Sequence, residues 1–219
     1  MTHRDDQRKS GFFISFEGPE GVGKSTQLER LVEVLRARGH VVCQTREPGG
    51  TVLGEELRRL LKHLPAEDEP GPVAELLLIT ASRAQLVENV IEPALSRGEI
   101  VVCDRFADST TVYQGCARGL DMKLIKALHT ATVRGTWPDL TVVIDMDVKE
   151  GLRRGRLRQQ EGDSPDRFEA ESHSFHETVR QGFLELAREV PGRVQVISGK
   201  GSPDDVHERI MRVVDRALG

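Results

Sequence analysis

Apolar and polar positions along the chain alternate between short apolar runs and longer stretches of helical period. Phe12 to Phe16 (Phe-Phe-Ile-Ser-Phe) is a compact apolar run suited to a strand buried on both faces. Leu28, Leu31, Val32, Val34 and Leu35 then recur at helical spacing until Gly39 stops the pattern. The β-branched run His40 to Thr45 predicts a second strand, and Leu53, Leu57, Leu60, Leu61 and Leu64 predict a second amphipathic helix. Val73 to Leu95 carries one long helical pattern in which Pro93 predicts a kink or a break. Further strands are expected at Glu99 to Cys103, Leu140 to Ile144 and Arg193 to Ile197, with helices from Asp121 to about Arg134 and from Pro203 to Leu218. Strands alternating with helices predict an α/β fold around a five-stranded parallel sheet.

Chemistry enters where the first strand meets the first helix. Gly18-Pro19-Glu20-Gly21-Val22-Gly23-Lys24-Ser25 satisfies the phosphate-binding loop pattern and continues into Thr26. Its glycines let the backbone approach phosphates closely, its amides and the positive end of the new helix face the anion, and Lys24 adds a full charge. Ser25 offers a hydroxyl to a magnesium ion bridging nucleotide phosphates.

In an open parallel sheet, ligands gather beyond the carboxyl ends of the strands. Arg46-Glu47-Pro48-Gly49-Gly50 follows the second strand, so Arg46 is placed for a second phosphate or for an ion pair with Glu47 that fixes the turn. Asp104-Arg105 ends the third strand, where the carboxylate suits magnesium and the guanidinium suits a phosphoryl group, the alternative being a buried ion pair. Ser109, Thr110, Tyr113 and Gln114 follow, with hydrogen-bonding groups and an aromatic edge suited to a base. Asp145 and Asp147 end the fourth strand; the pair admits a metal, and Asp147 suits a helix cap better. Arg153, Arg154, Arg156 and Arg158 crowd one short helix without acidic partners among themselves, which predicts a flap closing over an anion. His173 and His176, without a third ligand, are expected at the surface.

At 219 residues and a formal charge of -4, the chain has room for one α/β domain and lacks the basic excess of a general nucleic-acid binder. Residues 1–10 are polar and read as a frayed extension, leaving 11–219 as the predicted domain. No run approaches a membrane span, and the three cysteines have no metal spacing, which predicts a cytoplasmic protein.

Four segments together resemble the thymidylate kinase family. They are the phosphate loop through Thr26; Thr45-Arg-Glu-Pro-Gly-Gly50; Asp104-Arg105-Phe106 with Ser109 and Tyr113-Gln114-Gly115; and the arginine segment closing on Asp166-Arg167-Phe168-Glu169. The resemblance implies the P-loop nucleoside-monophosphate kinase fold, with an arginine-rich lid over approximately 151–167. It further implies a homodimer, transfer of the ATP γ-phosphoryl group to dTMP with magnesium, and a place in dTTP biosynthesis. It gives Lys24 the β/γ-phosphates, Ser25 and Asp104 the metal, and Glu20 the sugar 3′-hydroxyl. Arg46 and Arg105 would clamp the acceptor phosphate, Arg83 with Ser109 or Thr110 and Gln114 would read thymine, and Tyr113 would crowd the sugar 2′ position. Some members carry an arginine where this chain has Gly21; here Arg154, Arg156 and Arg158 would act from the lid. Ile79 stands where the family commonly stacks a phenylalanine on the base, which leaves a kinase for another nucleoside monophosphate or a deoxynucleoside as the alternative substrate reading. A nucleotide switch is the alternative of another class, and the chain has no Asn-Lys-x-Asp guanine-reading motif.

Overall fold

The computed structural model describes residues 11–64, 66–160, 167–168 and 170–219. The extension expected over 1–10 lies outside them. Strands β1 (Phe12–Glu17), β2 (Val42–Arg46), β3 (Ile100–Asp104), β4 (Leu140–Asp145) and β5 (Val194–Ser198) form one sheet in the order β2-β3-β1-β4-β5. All its pairings are parallel, with Phe16 beside Asp104 on one flank of β1 and beside Val142 on the other. Each strand ends within a residue or so of its predicted limit; the central β1, β3 and β4 are buried along nearly their whole length, as continuously apolar runs require, while the edge strands β2 and β5 are partly exposed.

Helices α1 (Lys24–Ala37) and α9 (Pro203–Leu218) cover one face of the sheet. Their Leu28, Leu31, Leu35, Ile210 and Val214 join Ile14, Phe16, Val102, Val142 and Ile144 in one core. The intervening strand residues point the other way, as the two-residue period requires, so Phe13, Val101 and Cys103 pack with Leu86, Ile91 and Phe106. The Val73 to Leu95 pattern is realised as α3 (Pro72–Leu86), a π-helical turn (Val87–Ile91) and α4 (Glu92–Ser96). The break sits just before Pro93, which has no N–H for the helical ladder.

Two departures from the sequence pattern bear on the site. In α2 (Val52–His63) only Leu61 of the leucine stripe is fully buried, while Leu53 remains 48% exposed. The residues after Asp104, to which the pattern assigned no element, are helical: α5 (Ala107–Thr110) runs into a π-helical segment (Thr111–Ala117), and the expected helix follows as α6 (Met122–Val133). After α7 (Val148–Gln160) comes α8 (His173–Glu189), begun by a Ser172 side chain that accepts from the Phe175 amide at 3.2 Å. Phe175, Val179, Phe183 and Leu186 form its buried face. His173 is exposed as expected, but His176 is buried, because it shares that face one turn along.

Leu31 is fully enclosed between α1 and the sheet. Leu31→Ala is expected to destabilise the fold by about 2–5 kcal/mol, read as a lower denaturant midpoint with an unchanged slope.

Candidate active site

The phosphate loop follows β1, where the chain order reverses across the sheet, and this opens a crevice beyond the strand ends. Gly18 has φ +130°, and a Cβ there would lie 2.5 Å from the Ile144 carbonyl oxygen, so only glycine lets the loop lie this close to β4. Lys24 opens α1 and donates from Nζ to the carbonyls of Gly18 (3.1 Å) and Pro19 (2.7 Å). Burial and the nearby Arg105 push its pKa down to about 8, against the opposing pull of Glu20 and Asp104. Ser25 Oγ donates to Asp104 Oδ2 at 3.2 Å.

Arg105 has the left-handed φ of 68°, uncommon for a residue with a side chain, and its amide donates to the Phe16 carbonyl at 2.9 Å. That turn carries its guanidinium over the loop, where it donates to Gly18 O and Ser109 Oγ, both at 3.2 Å, and to the Glu20 carboxylate. It lies 4.9 Å from the centre of the Tyr113 ring, whose hydroxyl donates to Glu20 at 3.0 Å. Burial alone would raise the Glu20 pKa, but Arg105 and Lys24 outweigh it and hold the carboxyl at about 2. Behind the turn, Glu17 accepts from the Phe106 amide (2.8 Å) and the Ser109 hydroxyl (2.5 Å). Burial, reinforced by Asp108, raises its pKa to about 8.

Arg83, which as an isolated helix arginine would be expected in solvent, is completely buried. Its Nε donates to both Glu47 oxygens (3.1 and 2.9 Å), and its Nη2 donates to Glu47 (2.6 Å) and Thr110 Oγ1 (2.9 Å). Its buried Nη1 has no protein acceptor. Glu47 therefore serves Arg83, and Arg46 pairs instead with Glu55 at 2.9 Å. The Arg46–Glu47 pair considered from the sequence does not form, because successive strand residues point to opposite faces.

A cleft of about 450 Å³ collects these groups. Glu20, Arg46, Ile79, Arg83, Arg105, Ser109, Thr110, Tyr113 and Gln114 all line it, with Gly21, Gly23, Lys24, Ser25 and Asp104 from the loop side. Pro48, Leu61, Lys62 and Phe168 line it too. Leu61 belongs to the predicted leucine stripe, whereas the sequence pattern gave Lys62 no role at the site.

The lid reading fares unevenly. Arg153 and Arg154 are not without acidic partners: Glu150, on the same helix, accepts from Arg153 at 2.9 Å and from Arg154 at 2.8 Å. Arg156 is exposed; the Arg158 side chain and residues 161–166 lie outside the described residues. From the described part of α7 only Gly155 lines the cleft. Close by, the backbones of Gly21 and Gly151 meet: a Cβ on Gly21 would lie 1.8 Å from the Gly151 carbonyl oxygen. With α7 in this place no side chain fits at position 21, arginine included.

Asp145 pairs with Arg180 (2.6 and 3.0 Å), and Asp147 Oδ1 accepts from the Lys149 (3.0 Å) and Glu150 (3.3 Å) amides at the start of α7. This bears out the capping reading of Asp147. Among the described residues no group of three or more His, Cys, Asp or Glu side chains could hold a metal.

Comparison with known proteins agrees with this geometry. The family model described as thymidylate kinase matches residues 16–210. Thymidylate kinase from Syntrophotalea carbinolica is 47% identical over 209 residues, covering 94% of this chain and 96% of that protein. The Deinococcus radiodurans thymidylate kinase is 48% identical over 204 residues, covering 93% and 96%. The crystal structure of thymidylate kinase from Ehrlichia chaffeensis superposes with a TM-score of 0.73 at 34% identity, covering 93% of this chain and 98% of that one.

Glu17 yields a prediction of definite sign. Its pKa is about 8 in the fold and ordinarily 4.5, so between those values the unfolded chain releases the proton first, and this group's contribution to stability is lost as pH rises. Glu17→Gln should flatten that decline, so the melting-temperature difference between about pH 5 and pH 8 shrinks relative to the native protein. Identical pH dependence in the two proteins would mean that Glu17 is ionised in the fold.

Proposed function

The chain belongs to the thymidylate kinase family, a nucleoside-monophosphate kinase that moves the ATP γ-phosphoryl group onto dTMP, and we propose that Lys24, Arg46 and Arg105 divide the phosphates of the two substrates between them. The observation that carries this reading is the single cleft in which Lys24 of the loop meets Arg46 and Arg105 at neighbouring strand ends. Two nucleotides brought together repel. Three cations set around one small volume offset that repulsion and hold the reacting groups in line.

Lys24 takes the β/γ-phosphates, and the loop Gly18, Pro19, Glu20, Gly21, Val22, Gly23 and the Ser25–Thr26 helix start enclose the donor. Its hydrogen bonds to loop carbonyls are ones that an arriving phosphate would exchange. Ser25 and Asp104 would hold magnesium: this ion needs only one or two protein oxygens and takes the rest from water and phosphate, and when bound it neutralises phosphate charge. The acceptor phosphate is already ionised at neutral pH, so no general base is needed. Arg154, Arg156 and Arg158 would supply further charge from the lid.

On the acceptor side, Glu20 receives the sugar 3′-hydroxyl beside Arg105, and Tyr113 limits the 2′ position. Arg83 offers its unpartnered Nη1 to a thymine carbonyl, a role supported by the cost of leaving that buried donor unpaired. Ile79 packs flat against the base.

We further propose a homodimer. Val73 and Leu77 on α3, Leu53 on α2 and Leu124 on α6 are all more than a third exposed, and α2 and α6 both pack on α3. A second copy covering that face explains why the leucine stripe is only half buried. No helix among the described residues is long and apolar enough to cross a membrane. A cytoplasmic role in dTTP supply, from a single domain over 11–219, completes the proposal.

ADP release from ATP and magnesium, with dTMP, dUMP, UMP, dCMP, AMP and GMP offered separately, should be fast and selective for dTMP. Preference for another monophosphate would overturn the base assignment and point at Ile79. Lys24→Ala and Arg105→Ala should each lower kcat by about 10³-fold or more with far-UV circular dichroism unchanged. Near-native turnover in either variant would remove that residue from the mechanism.

A further inference from the structure

Glu75 was singled out by no motif, yet it is 1% exposed and accepts from three side chains. It accepts from Gln114 Nε2 at 2.8 Å, from Arg167 Nη2 at 2.6 Å, and from Arg118 at 3.4 and 3.3 Å. Arg118 also pairs with Glu171 at 2.5 Å, and Arg167 approaches Glu69 at 3.8 Å. Glu75 lies one turn before Ile79 and two turns before Arg83 on α3, so the three share one helix face. Ile79, Arg83 and Gln114 line the cleft, whereas Glu75 stands behind Gln114 and does not.

We propose that Glu75 is a positioning residue that sets which end of the Gln114 amide faces the base, and thereby selects thymine over cytosine. The inference rests on the reading that the acceptor base lies against Gln114. A carboxylate facing two arginines can only accept, so it takes the amide NH₂ and turns the Gln114 carbonyl away, toward the cleft. Thymine presents a ring N3–H beside a carbonyl. The N–H meets the Gln114 carbonyl and the carbonyl meets Arg83. Cytosine presents an unprotonated N3 and an amino group at the same places, so an acceptor would face an acceptor and a donor a donor. The mismatch leaves buried polar groups unpaired, which is the strongest basis a pocket has for rejecting an analogue of similar shape.

The same carboxylate anchors the C-terminal root of the lid. Arg167 lies 4.8 Å from the ring centre of Phe168, Arg118 lies 6.0 Å from it, and Phe168 packs edge-on to Tyr113 at 6.1 Å. Glu75 thus has a structural duty as well, and a useful test must separate the two roles.

The test compares kcat/KM for dTMP and dCMP in the full-length native protein, Glu75→Gln, Gln114→Ala, the double variant and Arg118→Met. A glutamine at 75 can donate or accept, so it no longer fixes the Gln114 amide. Glu75→Gln should cut the dTMP preference about tenfold, mainly through a higher KM for dTMP, with no further loss in the double variant. Arg118→Met leaves the carboxylate in place and should lower the melting temperature while keeping the preference. If Glu75→Gln lowers only stability while Gln114→Ala loses selectivity, the orienting role is overturned and the base placement stands. If Gln114→Ala is also silent, the base lies elsewhere and both readings fall. An equal selectivity loss in Arg118→Met would assign the effect to general loosening and overturn the proposal. Because Glu75→Gln could fail to fold, the native dTMP complex supplies a second readout. Nuclear Overhauser contacts from the Gln114 NH₂ protons to the Glu75 side chain should persist when dTMP binds; their replacement by contacts to the base would overturn the proposal.

Discussion

The cost of holding positive charge in a buried cleft organises this molecule. A site for two anionic nucleotides needs fixed cations, and fixing them means taking guanidinium and ammonium groups out of water, which is expensive unless each is paired. Arg105 is held by Glu20, Arg83 by Glu47, and Arg118 and Arg167 by Glu75. Glu20 and Glu47 leave part of Arg105 and Arg83 facing the cleft. The pairing therefore fixes direction as much as it offsets charge, since a guanidinium anchored along one edge presents its remaining N–H groups in a fixed plane.

Topology brings those pairs together. With β1 central, its loop opens between the ends of β3 and β4, and the side chains that follow β2 and β3 reach the same rim. The left-handed turn at Arg105 and the buried Glu17 beneath it serve this geometry. Glu17 fixes the Phe106 amide and Ser109, and Ser109 in turn meets Arg105, so the loop and the third strand end as one polar unit.

Backbone contact also limits what the phosphate loop can carry. Gly21 and Gly151 touch, which brings the base of α7 onto the phosphate loop and excludes any side chain at position 21. The loop therefore carries no charge at that position, and Arg153, Arg154 and Arg156 lie on α7 within two turns of the contact. Glu150 partly neutralises the first of them, which lowers the repulsion within the run while α7 is in this position.

The sequence by itself determined the strands, the phosphate loop, and the order of the residues that line the cleft. These are local matters: an apolar run buried on both faces, a glycine pattern at a strand-to-helix junction, and arginines at strand ends all have short-range causes. The last helix, Pro203 to Leu218, was legible to the residue because proline, a serine cap and strict periodicity agree there. Partnership was not legible. Glu47 was read beside Arg46 and belongs to Arg83, thirty-six positions away. Glu75 carried no motif, His176 looked like a surface residue, and the arginine run seemed to lack the acid that Glu150 provides. Which carboxylate neutralises which cation depends on distances that only the packed sheet and helices set, because electrostatic energy follows spatial separation and burial, and neither is written in the spacing of residues along the chain.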